Sequence, residues 1–436
     1  MARLLIRPAA IVTMEAREKI IENGEIAVKD SLIIHVGPRG ALPADFVPDK
    51  IIDAHRQVAL PGFVNCHTHA AMTLLRGYAD DLPLMQWLEE KIWPVEANLQ
   101  REDIYWGTML CCLEMIRSGT TTFADMYFAM DRVAGAVEKS GLRASLCRGM
   151  IGVGPNGEQA LEESREFVEQ WHGGAGGRVT AMFGPHAPYT CPPEYLKRVM
   201  NLAGQLNVGI HIHLAETGTE VENIKKQYGT TPIQLMENTG LFEYPVLAAH
   251  CVHLAEEDMA ILARRGVGIA HNPESNMKLA SGIAPVARLL ELGAKVGLGT
   301  DGAASNNNLD MVEEMRTAAL LQKVATGDPM VLPAFEALWM ATAGGAAALG
   351  LGEQIGMLKP GMKADLVLLD LHQPHLYPRH DLLAHLVYAS KSSDVKTVIV
   401  DGELVMEDGQ VLTMDTGEIY DEVQRRADRL VGRSSS

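Results

Sequence analysis

The sequence predicts an α/β protein: a (β/α)8 TIM-type barrel with a small β-sandwich built from both termini. Three observations predict it. Eight short apolar runs recur between residues 62 and 302, and stretches with helical spacing lie between most of them. In most runs the apolar part comes first and the chemically able residues close it, as in barrel enzymes, whose sites sit at the C-terminal face. The stretches before about residue 58 and after about 360 read instead as short β-runs with turn signals.

The elements follow in order. "MARLLIRPAAIVTMEARE" is apolar but broken by Arg7, Pro8 and Glu15, so it reads as a first strand and not as a signal peptide. "EIAVKD" and "LIIHVG" continue the N-terminal β-unit, residues 1–58. The barrel, 59–360, takes its strands from "GFVNCHTH", "TTTFADM", "RASLCRGM", "VTAMFGPHAP", "VGIHIHLAE", "PVLAAHCVHL", "GVGIAHNPESN" and "KVGLGTDG". "PPEYLKRVMNLAGQLN" and "AEEDMAILARRG" are two of the intervening helices, and "HGGAGG" at 172–177 is a surface loop. Residues 361–436 return to strands, "ADLVLLDL" and "VKTVIVDGELVMEDGQV", with Asp401-Gly402 and Asp408-Gly409 as hairpin turns. Neither end has enough strands to bury a sheet face alone, so the two are expected to build one unit. "YDEVQRRADRL" is a closing helix. A doubly wound open sheet is disfavoured: no GxGxxG turn is present.

Composition excludes several function classes. The 436 residues are 47% hydrophobic, enough for a large core and unlike a disordered chain. The net charge of −17 and the lack of a Lys/Arg-rich run argue against a nucleic-acid surface. No apolar stretch reaches the roughly 18 residues of a membrane span. The six cysteines form no CxxC pair, so reduced core thiols and a cytoplasmic location are expected.

The chemistry gathers at the strand ends. His67 and His69 lie at i and i+2, on one face of a strand. Such a pair is either a structural couple or part of a metal site, and its company favours the second. His213 closes the fifth strand with Glu216 three residues on, His250 closes the sixth, and Asp301 follows "VGLGT" in the eighth. Three imidazoles and a carboxylate suit Zn2+ or another borderline divalent ion with a position left open for water.

This constellation resembles the amidohydrolase superfamily over essentially the whole chain. Binuclear members carry a bridging carboxylated Lys at the end of strand four. Here that strand ends in "FGPHAP", with His186 and no Lys. The resemblance therefore implies one divalent metal per chain, Zn2+, held by His67, His69, His213 and Asp301. "HTHAAMTLLRGYADDLPLMQWLEEKIWPVEA", "FGPHAPYTCP", "HLAET", "AHCVHL", "HNPESNMKLASG" and "GTDGAASNNNLDM" are similar to the 5′-methylthioadenosine/S-adenosylhomocysteine deaminases. The other zinc deaminase fold uses HxE with PCxxC, and no PCxxC is present.

The resemblance implies hydrolytic deamination of an adenine nucleoside. Asp301 is the expected base for the attacking water, Glu216 the acid for the ring nitrogen, and His250 the group that steers the nucleophile. Glu96 is expected on the ribose hydroxyls, since a carboxylate accepts from both. Arg148 and His186 match substrate contacts, and Trp87 either lines the base pocket or packs in a helix core. Asp125 is expected to buttress a ligand histidine, and His211, one layer below His213, to be structural; His271 stays open. The segment from 70 to 98 is long for a βα loop and is expected to cover the site.

Members that accept both thioether nucleosides have two Arg for the amino-acid tail. This chain keeps one, Arg148, and "GVGPNGEQALEESREF" has no Arg between 149 and 164. Glu158, Glu162 and Glu163 would repel a carboxylate if they faced the site. A preference for 5′-methylthioadenosine over S-adenosylhomocysteine is therefore expected, with a small nucleoside as partner, no nucleic acid or membrane, and a homo-oligomer. The alternatives are another ring deaminase acting on adenosine, guanine or cytosine, a chlorotriazine dehalogenase, or a metal-free structural homologue.

Overall fold

A computed structural model describes residues 3–43 and 45–432. The chain opens with five strands: β1 (Arg3–Val12), β2 (Ile20–Lys29), β3 (Leu32–Pro38), β4 (Lys50–Asp53) and β5 (Gln57–Pro61). Eight more follow: β6 (Phe63–Thr68), β7 (Thr120–Tyr127), β8 (Arg143–Met150), β9 (Val179–Pro185), β10 (Ile210–Leu214), β11 (Val246–His250), β12 (Gly268–His271) and β13 (Lys295–Leu298). The last four are β14 (Leu366–Asp370), β15 (Val395–Val400), β16 (Glu403–Glu407) and β17 (Gln410–Val411).

Strands β6 to β13 pair in chain order as one eight-stranded parallel sheet with helices between them, the expected barrel. Side chains join its first and last strands. The Asn65 carboxamide accepts from the Thr300 amide at 3.1 Å and donates to the Thr300 hydroxyl at 2.7 Å. The Asp301 amide donates to the His67 carbonyl at 2.9 Å. Gly299 permits this approach, because a Cβ there would lie 2.4 Å from Asn272 Oδ1 and 2.9 Å from the His67 nitrogen. The closure sets Asp301 beside the two histidines of β6.

The remaining nine strands form one sheet, ordered β17-β16-β15-β14-β5-β1-β2-β3 with β4 beside β1. The antiparallel pairing of β5 with β14 joins the chain's two ends. Ile33 of the edge strand β3 and Ile399 of β15 share one buried core with Leu4, Ile26 and Leu366. The expected two-ended unit is thus a continuous sheet brought round its own core. Its hairpins turn where expected: φ is 51° and 84° at Asp401 and Gly402, and 49° and 78° at Asp408 and Gly409. Type I′ turns require positive φ at both central positions.

Ion pairs tie the terminal segments to the barrel. Arg143, at the start of β8, donates to Asp365 at 2.7 and 3.1 Å and to Asp401 at 3.2 Å. Asp103, on the helix Arg101–Ser118, pairs with Arg426 and Arg429 of the closing helix Thr416–Leu430. Among the described residues no helix is long and apolar enough to cross a membrane.

Candidate active site

A cavity opens at the C-terminal ends of the barrel strands. Its floor includes His69, His213, Glu216, His250 and Asp301. The segment from 70 to 98 contributes Met72, Trp87, Trp93 and Glu96, so it lies over the site as expected. Within that segment a π-helical turn, Leu88–Ile92, separates two short α-helical turns. Such turns recur at functional sites.

His67, His69 and His213 each bring a ring nitrogen within 4.8 Å of the others, and His67, His250 and Asp301 do the same. Asp301 Oδ1 lies 3.4 Å from His67 Nε2 and 3.3 Å from His69 Nε2, too far for well-formed hydrogen bonds. His67 Nε2 and Asp301 Oδ1 are buried, with no hydrogen-bond partner among the described residues. Converging buried polar atoms without partners call for another occupant. Imidazole nitrogens with a carboxylate oxygen are the donor set of a borderline divalent ion. The residues present fit a metal.

Each candidate ligand is oriented from behind, as ligand histidines usually are. The Nδ1 of His69 donates to the Met126 carbonyl at 2.6 Å, and that of His213 to the His186 carbonyl at 2.8 Å. Carbonyls only accept, so Nδ1 carries the proton and Nε2 is bare. The Nδ1 of His67 lies 2.9 Å from His211 Nε2, and His211 Nδ1 lies 3.6 Å from Cys147 Sγ. Cys147 in turn is 3.4 Å from the Asp125 carbonyl, an acceptor that sets the donor direction along the chain and leaves His67 Nε2 bare as well. His211 thus supports the His67 ring from behind. Burial lowers His67 to about 4 and holds His211 and His213 well below the ordinary histidine value.

Asp301 is held by its other oxygen. Oδ2 accepts from Ser275 at 2.7 Å and from Ser305 at 2.8 Å. Burial works to raise this carboxyl, but the His67 contact and the neighbouring His69 and His250 imidazoles outweigh it and keep it well below the usual range. Asp125 makes no hydrogen bond to an imidazole among the described residues. Its Oδ1 accepts from Thr68 Oγ1 at 2.9 Å and from the Ala70 amide at 2.6 Å, so it pins the backbone on both sides of His69.

Glu216 and His250 face each other, with 3.9 Å between Oε2 and Nε2. The Nδ1 of His250 donates to Asn276 Oδ1 at 2.9 Å. Burial raises Glu216. Burial also works against charge on His250, but Glu216, Asp301 and Asn276 raise it above the ordinary value. Glu220 sits behind Glu216, accepting from the amides of residues 215 and 216.

The substrate candidates divide. Glu96 lines the cavity and accepts from the Tyr127 hydroxyl. Trp87 also lines it, with its indole N–H tied to the Ala79 carbonyl at 3.0 Å. His186 lines it, its Nδ1 lying 3.1 Å from Thr190 Oγ1. Arg148 does not reach the cavity wall. Its guanidinium pairs with Glu163 at 2.7 Å, donates to the Gly149 carbonyl at 2.5 Å and lies 5.9 Å from the Phe128 ring centroid. Glu158 and Glu162 pair with Arg198 and Arg165 on the outer helix surface. His271 is buried with neither ring nitrogen partnered among the described residues, and burial lowers it to about 3.

Sequence reasoning did not single out Ser275, Ser305, Tyr127 or Glu220. One signal was available: Thr217 to Glu220 reads T-x-x-E after a strand, a capping-box pattern.

The amidohydrolase family profile matches residues 58–405. A 5-methylthioadenosine/S-adenosylhomocysteine deaminase of Pelotomaculum thermopropionicum is 66% identical over 433 residues, 99% of this chain and 100% of that protein. One of Moorella thermoacetica is 59% identical over 426 residues, 98% and 99% of the two chains. The crystal structure of an adenosine deaminase from Xanthomonas campestris with bound zinc is similar at a TM-score of 0.95, with 37% identity over 99% of both chains. An atrazine chlorohydrolase from Arthrobacter aurescens, complexed with zinc, is similar at 0.91, with 25% identity over 97% of this chain and 100% of that one.

Proposed function

This chain belongs to the amidohydrolase family, among the 5-methylthioadenosine/S-adenosylhomocysteine deaminases, and from that premise we propose a metal-dependent deaminase that prefers 5′-methylthioadenosine over S-adenosylhomocysteine. It is a hydrolase of a cyclic amidine C–N bond. The observation that carries the reading is the meeting, at one cavity, of Asp301, Glu216, His250 and Glu96.

His67, His69, His213 and Asp301 would hold one divalent ion, Zn2+. The chemistry such an ion supplies is activation of water near neutral pH. Asp301 accepts the proton of the attacking water and returns it to the departing ammonia. Glu216, kept protonated more readily by burial, protonates the ring nitrogen beside the attacked carbon. Without that proton the aromatic ring resists attack. His250, anchored by Asn276, donates to the nucleophile and orients it. Glu96 accepts from the ribose hydroxyls, with Tyr127 holding its other side.

Two features support the tail preference. Arg148 is already committed to Glu163, so a substrate carboxylate would have to displace that partner. Leu84, Leu88, Trp93, Phe128 and Ile151 give the cavity an apolar wall suited to a methylthio group. Glu96 favours a nucleoside over a triazine, which has no diol.

A spectrophotometric comparison of the two thioether nucleosides, adenosine, guanine, cytosine and a chlorotriazine tests the reading. The specificity constant is expected to be highest for 5′-methylthioadenosine. An equal or higher value for S-adenosylhomocysteine sinks the preference, and a better triazine sinks the substrate class. Elemental analysis is expected to find one tightly bound divalent ion per chain; two would contradict the site.

A further inference from the structure

Glu220 touches no reacting group, yet it holds the backbone that carries Glu216. Strand β10 ends at Leu214, and the next helix, Gly218–Tyr228, begins at its cap, Thr217. Two residues make the turn between them. Ala215 makes it at φ 52°, a left-handed conformation costly for a residue with a Cβ.

The carbonyl side of this turn is fastened to the loop that follows His250. The Leu214 carbonyl accepts from Cys251 N at 3.0 Å, and the Ala215 carbonyl from Val252 N at 3.0 Å and His253 N at 2.9 Å. The amide side is fastened by Glu220: Oε1 accepts from Ala215 N at 3.0 Å and Oε2 from Glu216 N at 2.9 Å. In an ordinary capping box the carboxylate returns to the cap residue's own amide. Here the cap is half of that kind, with Thr217 Oγ1 accepting from Glu220 N at 3.1 Å, while the carboxylate reaches further back to the turn. A buried carboxylate next to Glu216 is electrostatically unfavourable. Two amides nevertheless need two acceptors, and a neutral Gln side chain offers one.

We propose that Glu220 is the positioning residue of the acid: its carboxylate fixes residues 215 and 216 so that Glu216 faces the cavity opposite His250. The proposal rests on Glu216 being that acid. A misplacement of about 1 Å at a reacting group can cost roughly 10²-fold in rate. If Glu220 acts through Glu216 alone, its loss has nothing to act on once Glu216 is gone.

The test is a double-mutant cycle of Glu220→Gln with Glu216→Gln, reading kcat and KM, with melting temperature and bound metal measured on every variant. Glu220→Gln is expected to lower kcat about 10- to 100-fold, with KM nearly unchanged and metal retained. In the Glu216→Gln background the same change is expected to cost less than about 2-fold. An equal loss in both backgrounds, or a loss confined to KM, overturns the proposal and leaves the acid assignment standing. Full activity of Glu216→Gln overturns the assignment and the proposal together. Should Glu220→Gln fail to fold, Glu220→Asp, whose carboxylate is one methylene shorter, completes the same cycle with the same outcomes.

Discussion

Asp301 divides its two oxygens. Oδ2 is occupied by the Ser275 and Ser305 hydroxyls, and Oδ1 is left bare toward His67 and His69. A carboxylate free to rotate would present either oxygen, so the serines select the one that faces the imidazoles. Groups that orient metal ligands from behind are worth about 10- to 100-fold in metal affinity. With Asp301 as the proposed ligand, the Ser275→Ala, Ser305→Ala double variant is therefore expected to bind a divalent ion at least about 10-fold more weakly than the parent, measured by chelator competition. Unchanged affinity would remove the clamp from the site. His271 supplies a second prediction, on pH. The folded protein keeps it neutral down to about 3, while a histidine of the unfolded chain protonates near 6.5. Below 6.5 the unfolded state binds the extra proton, so stability is lost as pH falls, by up to about 1.4 kcal/mol per pH unit. His271→Asn deletes that contribution. Its melting temperature is expected to fall less steeply than that of the parent between pH 6.5 and 5; parallel curves would contradict the buried neutral state.

At the scale of elements, the turns determine where strands end. The Asp401-Gly402 hairpin is held at φ 51° and 84°, and its Gly402 lies against the strand connection at Asp30. A Cβ on Gly402 would sit 1.9 Å from the Asp30 carbonyl oxygen. Gly402→Ala combines a left-handed conformation with an overpacked contact, and the expected cost is roughly 2–5 kcal/mol. Thermal denaturation checks it, and a change below about 1 kcal/mol would mean the turn relaxes freely. The segment from 70 to 98 behaves differently. It carries Trp87 and Glu96 over the cavity in short helical turns, and Lys278, in the connection after β12, is tied to it by an ion pair with Asp80 at 2.5 Å.

At the scale of the molecule, one face of the terminal sheet shares the barrel's apolar core, through residues such as Val58, Leu60, Val367 and Val398, and buried polar links add to that contact. Arg143 and Asp365 are almost fully buried, with side-chain exposures of 4% and 2%. A buried pair adds little when intact, but removing one partner strands the other charge. Arg143→Met is expected to lose about 3–5 kcal/mol, because Asp365 stays buried without its cation. Denaturant titration checks this. An Arg143→Met, Asp365→Leu double variant is expected to recover part of the loss, and a double variant worse than the single one would contradict the account.

The eight strand runs, the split terminal sheet and the residues that close each barrel strand were legible in the chain itself. Those signals are local: alternation places His67 and His69 on one face, and Asp-Gly pairs adopt the positive φ that hairpins need. Glu216, His250 and Asp301 were legible for the same reason, since each follows directly on an apolar run. Which atom is left without a partner was decided only by the tertiary structure. Ser275 and Ser305 come from two different strand ends and meet at one oxygen of Asp301. Arg148 is turned to Glu163 by a helix fifteen residues on, and Tyr127 is set on Glu96 by the covering segment. Periodicity tells which face a side chain takes, but a hydrogen bond forms only within about 3 Å, and that distance is set when the barrel closes.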